Sequence, residues 1–234
     1  MEKLKIQNDL KKFARKDKAI FLPRFFKCGK NEYGEGDIFI GVMVPDIRTV
    51  AKNNIDLIFT DLKILINSKI HEERLLSLFI LVLKYQKSKI LTDKKKCIDF
   101  YLKNLKGVNN WDLVDLSCYK LLGNWLLDKP RDLLYEFANS DNLWKKRISI
   151  VSTYEFIRNG EFDDTIKIAK ILLKDNHDLI HKAVGWMLRE MGKRDILVLE
   201  NFLKDENYKK MPRTMLRYAI EKMADDKRRG YLIR

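Results

Sequence analysis

Long apolar runs are missing from this 234-residue chain. The longest, Ser77 to Leu83, falls far short of the about 20 residues that a membrane-spanning helix needs, so no membrane partner is expected. The first residues, MEKLKIQNDLKKFARK, lack the apolar core of a secretion signal. Cysteine is sparse. Cys28, Cys97 and Cys118 lie far apart and form no CxxC, which argues against a disulfide framework and against structural zinc. The expected compartment is therefore the cytosol, beside the nucleoid if the source is prokaryotic. Glycine (10) and proline (4) are both scarce, whereas turn-rich all-β folds use more of each, so the expectation moves to helix. Negative charge is short as well: 33 Asp and Glu stand against 47 Lys and Arg, a net +14.

The excess of positive charge is uneven. Residues 1–30 carry ten basic and three acidic groups, and residues 209–234 carry nine and three. The 178 residues between are nearly balanced, at 28 and 27. Cationic ends of this kind fit a polyanion, and nucleic acid is the commonest. Solvated lysine-rich ends are the plainer alternative.

Helical periodicity runs through almost every window. It predicts helices near 3–18, 46–52, 56–67, 71–87, 92–105, 111–127, 130–138, 142–159, 163–173, 177–191, 194–203 and 212–224. Start signals are Pro45 with Asp46, Thr92 with Asp93, Pro130 near Asp132, and Pro212; Gly160 and Gly192 read as stops. The segment CGKNEYGEGDIFIGVMVP, with Gly29, Gly34, Gly36 and Gly41, reads as a loop with a short extended piece. No GKS or GKT follows, so it is not a phosphate-binding loop.

Five amphipathic segments share a form: EERLLSLFIL (72–81), WDLVDLSCYKLLG (111–123), WKKRISIVSTYEF (144–156), LIHKAVGWMLREM (179–191) and PRTMLRYAIEKM (212–223). Aligning Arg74, Asp115, Arg147, Lys182 and Thr214 gives steps of 41, 32, 35 and 32 residues, each with room for one more helix. This is a helix-pair repeat. It predicts an all-α, HEAT-like α-solenoid of about five to six antiparallel pairs, a single domain over 1–234 with a concave basic face.

Several residues stand out chemically. Trp111 and Asp115 are four apart and share a helix face, where an aromatic and a carboxylate together favour positive charge. An ordinary helix-start aromatic beside an ordinary helix Asp is the other reading. Arg147 sits among Leu143, Trp144, Ile150 and Val151, so it needs a partner. Either Asp115 or a DNA phosphate would serve. Lys182, Trp186, Arg189 and Lys193 form a stripe at i, i+4, i+7 and i+11, a pattern suited to phosphates and sugars. His177 and His181 are spaced as a metal pair, but no HExxH and no third ligand accompany them, so no metal or other cofactor is expected.

With these residues assembled, the chain resembles the AlkD-like DNA alkylation repair family of HEAT-like DNA glycosylases. The resemblance covers roughly residues 20–224 and rests on IGVMVPDIR (40–48), NNWDLVD (109–115), SDNLWKKR (140–147), HKAVGWMLRE (181–190) and MPRTMLRYAIEK (211–222). It implies hydrolysis of the N-glycosidic bond of cationic N3- and N7-alkylpurines in duplex DNA, without base flipping. By position, Trp111 and Trp186 match aromatics that pack against the lesion's deoxyribose, and Asp115 matches the carboxylate near the anomeric carbon. Arg147 matches a cation of the DNA cleft. Lys182 and Arg189 fall on motif positions, and their stripe, with Lys193, suggests phosphate contacts. The Gly-rich GKNEYGEGD segment departs from the family pattern. The expected partner is alkylated double-stranded DNA, and the expected state a monomer. The alternatives are a non-catalytic solenoid that reads distorted or branched DNA by shape and charge, and a protein-binding scaffold.

Overall fold

The computed structural model describes residues 5–204 and 208–233. The fold is all-α. Among the described residues, extended pairing is confined to one isolated parallel bridge, Ile38 with Ile70. The chain divides between Ser117 and Cys118 into two compact units.

The first unit holds α1 (Lys5–Lys11), α2 (Lys16–Phe25), α3 (Val44–Asn53), α4 (Phe59–Ile66), α5 (His71–Lys87), α6 (Leu91–Lys103) and α7 (Trp111–Asp115). Its axis is α5, whose sequence is apolar nearly all round; such a helix must be enclosed. Helices α3, α4 and α6 pack around it, and α7 touches it as well. Leu76, Ile80 and Leu81 are fully buried there, each contributing about 2 kcal/mol.

The second unit begins with a π-helical turn, Tyr119–Gly123, and continues with α8 (Asp132–Ala138), α9 (Leu143–Ser152), α10 (Tyr154–Arg158), α11 (Asp163–Leu172), α12 (Asp178–Arg194), α13 (Ile196–Phe202), α14 (Tyr208–Lys210), α15 (Arg213–Ala219) and α16 (Asp225–Leu232). Here the helix-pair repeat is plain. Helix α9 pairs with α8 and α12 with α11, while α9, α12 and α15 stack in succession. The α12 stripe of Ile180, Val184, Met187, Leu188 and Met191 is fully buried.

Four sequence expectations are corrected. The helix foreseen over 3–18 (residues 3–4 lie outside the described ones) stops at Lys11, and α2 follows from Lys16 with Pro23 inside it. A tertiary contact lies at the break. Gly41, at φ +83°, brings its backbone so close to the Arg15 carbonyl that a Cβ would lie 2.1 Å from it. The helix foreseen over 111–127 is interrupted after Asp115. Ser117 Oγ donates to the Leu113 carbonyl at 2.5 Å, a back-bond that bends helices, and the π turn follows. The 142–159 segment is interrupted at Thr153. Gly192 is no stop: α12 runs through it, and its bare Cα makes room for Leu199, whose Cδ2 would lie 2.4 Å from a Cβ.

Candidate functional site

Helix α7 has only five residues, and its exposure pattern is the key to it. Asp112, Leu113 and Val114 are buried. Trp111 and Asp115, one turn apart, remain half-exposed on the other side. Asn110 starts the helix, its side-chain oxygen accepting the Trp111 amide at 2.8 Å. The aromatic–carboxylate pair expected from sequence is thus offered together on one short helix.

Trp111 rests on a stack of rings. Phe26 lies nearly parallel to it, 5.2 Å away at 12°, and Phe25 meets it edge-on at 5.9 Å. Phe26 stacks in turn on Phe39 at 5.0 Å, and Phe39 on the His71 imidazole at 4.6 Å. Pairs of this kind are worth about 0.5–1.5 kcal/mol each beyond their burial.

Beneath the rings lies a buried charged cluster that the sequence reading did not foresee. His71, 1% exposed, opens α5. Its Nδ1 faces Asp37 Oδ2 at 3.0 Å and its Nε2 faces Asp112 Oδ2 at 2.8 Å. With a carboxylate oxygen at each nitrogen, the imidazolium satisfies both contacts, and Arg74 Nη2 also approaches Nδ1 at 3.4 Å. Burial alone would push this ring down; the Asp112 charge and hydrogen bonds to Asp112 and Asp37 overcome it and raise it to about 9. Burial likewise works to raise the Asp37 carboxyl, but the His71 hydrogen bond and the Arg74 charge hold it below its ordinary value. Arg74 donates to Asp37 Oδ2 at 2.7 Å and to the Ser68 carbonyl at 3.0 Å. Next to it, Glu72 accepts from the amides of Ile40, Gly41 and Val42 at 2.8–3.2 Å, clamping the end of the Gly-rich segment. That segment is therefore tied at both Asp37 and Gly41. The available signal was the run HEER, four polar residues that precede the apolar middle of the helix.

The second unit places the remaining expected residues. Arg147 is 5% exposed and donates to the Leu179 carbonyl, tying α9 to the first turn of α12. Trp186 is half-buried and leans on Tyr154 at 6.0 Å, and Tyr154 meets Tyr119 edge-on at 5.2 Å. The cations of the α12 stripe are paired: Lys182 with Asp178 at 2.7 Å, Arg189 with Glu221, and Lys193 with Glu190 at 2.7 Å. The two histidines do structural work. His177 Nδ1 accepts the Leu179 amide as the α12 cap, and His181 Nε2 faces the Asp175 carbonyl. Among the described residues no group of three His, Cys, Asp or Glu side chains is gathered to hold a metal, and no helix is long and apolar enough to cross a membrane.

The all-α architecture has a counterpart among solved structures. A predicted DNA alkylation repair enzyme from Enterococcus faecalis is 16% identical, with a TM-score of 0.71 over 91% of this chain and 97% of that one. At that identity the likeness concerns the fold alone. No curated protein sequence matches the chain. The family model for DNA alkylation repair enzyme matches residues 6–223, from α1 through α15, with Trp111, Asp115 and Trp186 inside the match. With a match of that span, the chain belongs to the DNA alkylation repair enzyme family.

Proposed function

We propose that this protein is a monofunctional DNA glycosylase that hydrolyses the N-glycosidic bond of cationic N3- and N7-alkylated purines in duplex DNA, without flipping the base. The observation that carries the reading is the Trp111–Asp115 pair, accessible on α7 while the rest of that helix is buried, in a chain of a DNA alkylation repair family.

An alkylated purine already carries positive charge, so it departs without a general acid. Positive charge then grows on the deoxyribose as the bond to the base breaks. The Asp115 carboxylate opposes that charge and orients the attacking water. The Trp111 and Trp186 ring faces favour the same charge and pack against the sugar. Lys182, Arg189 and Lys193 contact phosphates by exchanging their carboxylate partners for the DNA backbone. Arg147 contributes to the cleft and also holds α12 in place. Selectivity comes from the lesion's own lability and the distortion it permits.

The test is release of 7-methylguanine and 3-methyladenine from methylated duplex DNA, with Asp115→Asn beside the wild type. Release by the wild type and a loss of roughly 100-fold or more in the variant are expected. Equal release by both proteins would remove Asp115 from the chemistry. Tight, salt-sensitive DNA binding with no release would favour the non-catalytic reader of distorted DNA.

A further inference from the structure

We propose that His71 is a positioning residue for Trp111, setting the plane of the indole through both the edge and the face of its own ring. In its catalytic consequence this rests on the glycosylase reading above; its structural content does not.

Two routes lead from His71 to Trp111. Along the edge, Nε2 binds Asp112, the residue that follows Trp111 in the chain, and so fixes the first turn of α7. Along the face, the imidazole packs on Phe39 at 4.6 Å and on Phe26 at 4.9 Å, and Phe26 in turn stacks on Trp111 at 5.2 Å. The opposite edge is held by Asp37, which is itself held by Arg74. The ring therefore has no freedom to turn or tilt. A lysine would answer the two carboxylates but has no flat face to offer the phenylalanines. The imidazolium supplies both the two donors and the face, and this ties the charged cluster to the Trp111 platform. An indole facing a developing cation works only at the right tilt and distance, and small misplacements of such groups are costly.

The experiment uses two variants of the full chain, His71→Gln and Phe26→Leu. The first removes the ring and one of its two donors; the second interrupts the face route and leaves the ion cluster intact. The first readout is the set of tryptophan indole N–H resonances, with that of Trp111 identified by Trp111→Phe. Both variants should move the Trp111 resonance and leave those of Trp125, Trp144 and Trp186 in place. The second readout is single-turnover release of 7-methylguanine, expected to fall roughly 10- to 100-fold with DNA affinity changed less than about threefold. A Trp111 resonance that stays put in either folded variant overturns the proposal, as does release at the wild-type rate. Should His71→Gln lose its helical circular dichroism, Phe26→Leu decides by the same criteria. Should the wild type release no base, the glycosylase reading falls, and the indole resonances alone decide whether His71 positions Trp111.

Discussion

The two units solve one problem, holding a half-exposed tryptophan on a helix, by different physics. In the first, Trp111 lies on rings whose lowest member is a buried cation between two buried carboxylates. In the second, Trp186 leans on Tyr154, and the charges around it are paired at the surface: Lys182 and Asp178 are 41% and 57% exposed in their side chains. The first arrangement relies on groups that are strongly coupled because water is excluded. The second relies on helix packing, with ion pairs that water screens. The support of Trp111 is therefore electrostatic and sensitive to pH, and that of Trp186 is steric.

The sharpest way to break this contrast is to delete one member of an ion pair in each unit. Asp112→Ala leaves the His71 Nε2 donor buried without its acceptor, and a loss of about 3–5 kcal/mol of stability is expected in urea unfolding. A loss below about 1 kcal/mol would show the cluster to be slack. Next in size is the response to pH. His71 is raised from 6.5 to about 9, so its contribution is fully present below pH 6.5 and is lost as pH rises through about 9. Stability measured at pH 6.5 and at about 10 should fall by something on the order of 3 kcal/mol, and His71→Gln should remove most of that slope. A flat wild-type profile would mean that the ring titrates near its ordinary value. The smallest effect belongs to the second unit: Lys182→Ala removes a pair open to solvent and should change stability by less than about 1 kcal/mol. A large loss there would erase the distinction between the units.

Sequence periodicity carried most of the fold. The 71–87 helix appears with those boundaries, and the α12 stripe is buried as its spacing required. The repeat alignment also had physical meaning beyond helix placement. Its matched cations Arg74 and Arg147 are both buried, and both donate to a backbone carbonyl. Breaks were harder to read. Nothing between Lys11 and Lys16 interrupts the pattern, and the contact found at the break, Gly41 against Arg15, comes from far along the chain. Ser117 looks harmless in an amphipathic segment until its hydroxyl is seen on the Leu113 carbonyl. The Trp111–Asp115 pair was legible because one helical turn is a local spacing. The Asp37–His71–Asp112 cluster was not, since its members lie 34 and 41 residues apart and no local period links them.

The Gly-rich segment looks like a lid and is built as a bracket. Asp37 and the Glu72 clamp fix its return, and Gly34 N–H closes its base on the Lys27 carbonyl at 2.9 Å. The tip, Gly29 through Glu32, is exposed throughout, and Glu35, Gly36 and Ile38 are exposed further along. Extra residues grafted there would enlarge a loop whose ends are already fastened, and each doubling of its length would cost only about 0.6 kcal/mol in closure entropy. The tip is thus the place where this chain can accept a reporter group or a foreign peptide while the ring stack beneath Trp111 keeps its geometry.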